Sequence, residues 1–252
     1  MKFGISTISI VPVRSEPNDR SEMTTQLLFG EHYKVLEKQK KWSKIQIAHD
    51  KYVGWVSNNQ IQEINQVEFE RLEKDIPTLS TDILDIIEGN FHQPIIIGSV
   101  LPFFKSDHAL INNEMFKFTG NKTQGFSQKK HLISNALIFL NAPYLWGGRT
   151  PFGIDCSGFT QIVYRLQGIK IPRDAYQQIN LGTIVDDKIE EGDLAFFENK
   201  SGKIVHVGIV MTNNQIIHAS GKVRIDKLDK NGIFNYEENK YTHKLNSIKK
   251  II

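Results

Sequence analysis

The sequence predicts an α+β protein: two small antiparallel β-barrels, then a domain in which helices pack on an antiparallel sheet. Three observations carry this. Short β-favouring runs broken by turn residues fill residues 5–61, a second and weaker set continues to residue 125, and helix-period segments then precede a block of strand-period ones. The expected domains are therefore residues 1–62, 63–125 and 126–252, and a chain of this length accommodates two to three small cores.

In the first section, ISIVPVR, HYKVLEKQ, WSKIQIAH and YVGWVS are separated by polar or Gly-containing breaks, the mark of short antiparallel strands. Trp42 and Trp55 are the expected core anchors of so small a barrel. VEFERLEKD has helical spacing and is stopped by Pro77, which predicts a linking helix. QPIIIGSVLPFF and EMFKFTG supply the second barrel, ending near GNKTQGFSQ. SQKKHLISNALIFLNA then reads as an amphipathic helix with Leu132, Ala136, Phe139 and Leu140 on one face, ended by Pro143.

Composition narrows the function. Apolar residues make up 40% and charged residues 23% of the chain, as in ordinary globular proteins. The 31 Lys and Arg nearly cancel the 28 Asp and Glu and are scattered, so there is no basic stripe of the kind nucleic acid requires. No apolar run approaches the roughly 20 residues that span a bilayer, and MKFGISTISIVPVR makes a poor signal-peptide core. The expectation is a cytoplasmic protein, with a periplasmic or secreted one as the alternative, and with neither nucleic acid nor membrane as partner. Oligomeric state is not encoded in any readable feature.

The single cysteine excludes an internal disulfide and a Cys-rich metal site, leaving core filler or a reagent. In YLWGGRTPFGIDCSGFTQIVYRLQG, a glycine-rich turn runs into a segment with Phe159, Ile162, Val163 and Leu166 at helical spacing. Cys156 then stands at a helix start, where unpaired N–H groups and the helix dipole favour the thiolate. Gly158, one turn in, allows close approach of substrate or backbone. Downstream, KIVHVGIVM and QIIHAS place His206 and His218 in successive strands around a turn at Asn213 and Asn214. A thiol nucleophile needs an imidazole base, and that imidazole needs a polar partner on its other nitrogen. A two-residue turn would set the two histidines on opposite faces, so an odd-length loop or a bulge is implied. No HExxH or comparable spacing is present, and neither metal nor cofactor is expected.

These residues resemble the NlpC-type cell-wall cysteine peptidases, a papain-like family. The likeness covers residues 126–252 through Tyr144 with Trp146, Gly147 and Gly148, through Asp155 to Phe159, and through IPRDAYQQ, EEGDLAFF, HVGIV and IIHAS. The barrels are similar to bacterial SH3-like domains, through VRSEPNDRSEMTTQLLFGE and YVGWV, and the tandem arrangement resembles γ-D-glutamyl-L-diamino-acid endopeptidases. The resemblance implies that Cys156 attacks, His206 is base and then acid, His218 orients it, and Tyr144 faces the oxyanion beside the Cys156 N–H. It also implies that Asp155 and Ser157 hold the D-glutamate of the substrate, that Arg173 and Asp174 line the groove, and that Asp174 binds a substrate ammonium. Ala175 stands where many relatives carry a hydroxyl residue. Glu22 and Tyr52 of the first barrel are implied as further substrate contacts.

The implied partner is a peptidoglycan stem peptide, L-Ala-γ-D-Glu-diamino acid, with lysine or diaminopimelate third and a free N-terminal L-alanine, cleaved in wall turnover or recycling. Two alternatives stay open: a wall-binding module with an inactive papain-like domain, and acyl transfer on the same fold.

Overall fold

The computed structural model describes residues 2–126, 129–185 and 188–252. It divides into two compact units, Met1–Phe126 and Ser127–Ile252.

In the first half of the first unit, alternation of apolar and polar residues yields seven strands: Lys2–Ile5, Ile10–Arg14, Met23–Leu28, His32–Lys38, Trp42–Ile47, Val53–Ser57 and Gln62–Ile64. They form one antiparallel sheet. The Met23–Leu28 strand has no counterpart in the four β runs read from the sequence. Its core is Val11, Val13, Leu27, Tyr33, Ile45, Ile47 and Val56. Trp55 is buried, as expected of an anchor, with the Lys44 ammonium 6.0 Å from its ring centre, while Trp42 is only half-buried. The central cluster itself is filled by aliphatic side chains and one tyrosine.

The helix Gln66–Lys74 is capped by Asn65, whose side chain accepts the Glu68 N–H, the usual way to satisfy a first-turn donor. It is more than a linker. Phe69 and Leu72 are buried in a core shared with Phe3, Ile5 and Phe29 on one side and Ile87, Ile95, Ile111 and Phe118 on the other, and Phe69 stacks on Phe3 at 4.3 Å. The strands of residues 78–124 divide between a four-stranded and a three-stranded sheet, where the sequence reading has a second barrel.

The second unit opens with a short helix, Leu132–Leu137, after a helical turn at Lys129–His131. Ser127 and Gln128, the first residues of the longer helix expected here, lie outside the described residues. Leu132, Ala136 and Phe139 are buried as their spacing requires, but Leu140 is 40% exposed because the chain leaves the helix before it. The Cys156–Leu166 helix is buried along its whole length and packs against two strands of the sheet. That sheet is antiparallel and closed: Leu194–Glu198, Ile204–Met211, Gln215–Ser220, Lys222–Asp229, Gly232–Asn235 and Lys240–Lys250 pair in turn, and the last pairs back to the first. The helices of this unit therefore accompany a six-stranded barrel, where an open sheet is the simpler expectation.

Candidate active site

The loop before Cys156 is built on close backbone contacts. A side chain on Gly158 would meet the Gly148 carbonyl oxygen at 2.3 Å, so the glycine admits backbone and lets the loop rest on the first helical turn. Asp155 caps that turn: one carboxylate oxygen accepts the Gly158 N–H at 2.7 Å and the Ser157 hydroxyl at 3.3 Å, and the other accepts the Gly147 N–H at 2.8 Å. Arg173 closes the arrangement, donating to both oxygens at 2.9 and 2.5 Å and to the Ser157 hydroxyl at 2.9 Å. Arg173 is 1% exposed, so this is a buried ion pair. Gln178 ties the same segment to the helix by donating to the carbonyls of Ser157 and Pro172. Asp174, half-buried, stands before the short helix Ala175–Gln178, its N–H bonded to the Gln177 side chain at 3.2 Å.

Cys156 is buried, and the N–H groups of Val207 and Ser157 donate to its sulfur. The helix end thus does favour the thiolate, as its position predicts, but it is outweighed. Burial first, then the Asp155 charge, push the thiol up to about 12, against the pull of those N–H groups and of Arg173. This shift and that of His206 both run toward the uncharged forms, a thiol and a neutral imidazole.

The Val207 contact sets the Cys156 sulfur against the peptide that joins His206 to Val207. His206 and His218 share a face because the loop between their strands has three residues: Ile209 pairs with Ile217 and Met211 with Gln215, leaving Thr212, Asn213 and Asn214. Asn213 and Asn214 take left-handed conformations, with φ of 59° and 56°, which asparagine tolerates. The odd loop supplies the register that the chemistry demands. His206 Nε2 lies 2.9 Å from His218 Nδ1, and His218 Nε2 lies 3.0 Å from Asp226 Oδ2. Gly208 makes room: a side chain there would meet the His218 Cβ at 2.8 Å.

His243, on the last strand, stacks on His206 with ring centres 4.1 Å apart. Burial, then the His218 charge, lower its pKa to about 4. Burial likewise holds His206 well below the usual 6.5 and His218 below it, though Asp226 opposes the shift at His218. The Tyr144 hydroxyl is raised by burial and then by the charges of Cys156 and Asp155, which sets it near both. Asp226, Arg224 and His243 are absent from the sequence reading. The signal for Asp226 and Arg224 was their alternation in VRIDKLD opposite QIIHAS; His243 carried none.

Of the residues expected at the site, Tyr144, Asp155, Cys156, Ser157, Arg173, Asp174, His206 and His218 all belong to the second unit. Glu22 and Tyr52 belong to the first: Glu22 is exposed before its strand, and Tyr52 packs against the barrel core.

A cysteine at a helix start beside a hydrogen-bonded pair of imidazoles belongs to the cysteine peptidases. Residues 141–242 match the model of the NlpC/P60 family and residues 13–61 that of the bacterial dipeptidyl-peptidase SH3 domain, so the chain carries an NlpC/P60 cysteine peptidase domain together with an SH3 domain of that type. It is 28% identical to the gamma-D-glutamyl-L-lysine dipeptidyl-peptidase of Bacillus cereus, over 79% of this chain and 68% of that one. It is 29% identical to the protein of the same name from Bacillus subtilis, over 77% and 71%. Dipeptidyl-peptidase 6 of Lysinibacillus sphaericus is 24% identical over 85% of this chain and 88% of its own. The crystal structure of an NlpC/P60 family protein from Bacillus cereus superposes with a TM-score of 0.83 at 22% identity, covering 99% of both chains, which establishes the shared fold.

Proposed function

We propose that this peptidase hydrolyses the γ-D-glutamyl bond to the diamino acid in peptidoglycan stem peptides. The observation that carries the reading is the Cys156, His206 and His218 constellation, set by a helix start and a three-residue hairpin loop. The names of the relatives supply the bond.

As Cys156 attacks the γ-carbonyl carbon, its proton passes to His206, which is neutral at rest. The oxyanion is met by the Cys156 N–H, which has no acceptor within its own helix, and by the Tyr144 hydroxyl. His206 then gives its proton to the departing amine, leaving a thioester. Water, deprotonated by the same imidazole, releases the glutamyl product. His218 holds the His206 ring through the 2.9 Å bond. Asp155 and Arg173 are engaged with one another and with the loop, so we assign them to building the site, with substrate contact secondary.

Asp174 is the proposed carboxylate for the free amino terminus of L-alanine. A charged hydrogen bond of this kind contributes about 1.5–3 kcal/mol, or about ten- to a hundredfold in discrimination. Such selectivity suits released peptides and hence recycling. The test incubates the protein with L-Ala-γ-D-Glu-L-Lys and with its N-acetylated form and identifies products by mass. Cleavage to L-Ala-D-Glu and lysine is expected, faster for the free peptide, with the preference lost in Asp174→Asn. Ligated products would mean acyl transfer, unchanged peptide a binding module, and equal rates for both peptides would remove the amino-terminal requirement.

A further inference from the structure

We infer that Asp226, clamped by Arg224, fixes the proton positions along both histidines, so that His206 presents its bare Nδ1 to Cys156. The inference rests on the proposed roles of Cys156 and His206, and concerns a positioning residue two hydrogen bonds away from His206.

A carboxylate can only accept, which gives the chain a direction. Asp226 Oδ2 is 3.0 Å from His218 Nε2, so that nitrogen carries the proton. A neutral imidazole has one N–H, so His218 Nδ1 is then a lone pair. At 2.9 Å it accepts from His206, whose Nε2 must be the protonated one. The remaining nitrogen of His206 is left bare, as a base requires. Without the carboxylate the two rings could hydrogen-bond equally well in the opposite sense, with His218 Nδ1–H donating to His206 Nε2, and His206 would then turn an N–H toward the thiol.

Three features make Asp226 fit to set the direction. It is 4% exposed, so water does not compete. Arg224 donates to it twice, from Nε to Oδ2 at 2.6 Å and from Nη2 to Oδ1 at 3.0 Å, which holds the carboxylate in place and ionised. Arg224 is in turn held by Asn235 at 3.0 Å and by Glu237 at 2.9 Å. The sheet register supplies the alignment, because Arg224 pairs with His218 and Asp226 follows two residues on, on the same face. The other groups against the His206 ring are His243, stacked upon it, and Phe197. Neither is within a hydrogen bond of it, so neither sets its tautomer.

The test reads ring-nitrogen NMR shifts of His206 and His218 in the full chain carrying Cys156→Ala, above their titration, where no thiol can protonate the base. Both rings are expected to carry the proton on Nε2; finding it on Nδ1 of either overturns the inference, whatever the variants do. Adding Asp226→Ala should replace the single tautomer by a mixture, and an unchanged spectrum would show that Asp226 is not its source. In protein with Cys156 intact, Asp226→Ala should lower kcat with KM within about twofold, by at least tenfold and by less than the ~10⁴ that a wrong tautomer costs a serine peptidase. Because the spectra need no substrate, a failure of the proposed peptidase reading appears in turnover alone and leaves the tautomer result to be judged separately.

Discussion

Arg173 and Asp155 show how much of the site is spent on controlling a single charge. The carboxylate raises the thiol of Cys156, and the guanidinium partly cancels it. Replacing Arg173 by Met would leave the carboxylate buried and unpaired, a change that costs about 3–5 kcal/mol; a lowered denaturant midpoint is expected, with slower alkylation of Cys156. Retained stability would show that the pair does not brace the site. Tyr144→Phe should cut kcat by about a hundredfold to a thousandfold with little change in KM, the usual cost of one oxyanion donor, whereas a matching rise in KM would make Tyr144 a binding group. His206 must be neutral to act as base, and burial holds its pKa well below 6.5. Activity is therefore expected to be flat through neutral pH and to fall only on the acid side of 6.5. A loss centred at or above 6.5 would contradict the burial of that ring. At this scale Cys156, His206 and His218 were legible, because each is a reactive residue type in an otherwise apolar or glycine-rich setting. The Asp155–Arg173 pairing was not, since nothing in IPRDAYQQ distinguishes a buried arginine from a solvated one.

The hairpin of Ile204–Met211 and Gln215–Ser220 is the element on which the chemistry turns. Its loop length decides whether two histidines twelve residues apart meet, and period-2 reasoning already required an odd loop there. The close approach of Gly208 to His218 was not legible, because it depends on which residue of the next strand lies opposite. Gly208→Ala forces a methyl group to within 2.8 Å of the His218 Cβ, so one ring must move. Turnover is expected to fall more than stability does, with the His206 and His218 ring signals shifted together. Unaltered signals would mean that the strands separate without disturbing the histidines. The Gln66–Lys74 helix makes the complementary point. Its spacing and its Asn65 cap were readable, but its role was not, because Phe69 and Leu72 meet residues from both sides of it in sequence.

Across the whole chain, the succession of a β-rich first unit and a mixed second one was legible from changes in hydrophobic period. The closure of the second unit's sheet was not, because it depends on Lys240–Lys250 returning to Leu194–Glu198, a pairing between distant segments that carries no local mark. Closure places His243, half-buried, on His206 and completes a cluster of three histidines with the buried His206 and His218. All three have folded pKa values below the usual 6.5, about 4 for His243. The unfolded chain therefore binds more protons in acid, so stability is complete above 6.5 and is lost as pH falls toward the folded values. The loss should approach about 1.4 kcal/mol per pH unit for each histidine involved, and His243→Phe, which keeps the stack and removes one titrating group, should flatten it in urea titrations at successive pH. An unchanged slope would remove His243 from the cluster's share of acid sensitivity.

The most direct test of the account is to follow L-Ala-γ-D-Glu-L-Lys in water labelled with heavy oxygen, with wild type and with Cys156→Ala. One heavy oxygen is expected in the released L-Ala-D-Glu, none in lysine, and no release by the variant. An intact peptide with wild type, or undiminished cleavage after Cys156 is removed, would contradict it.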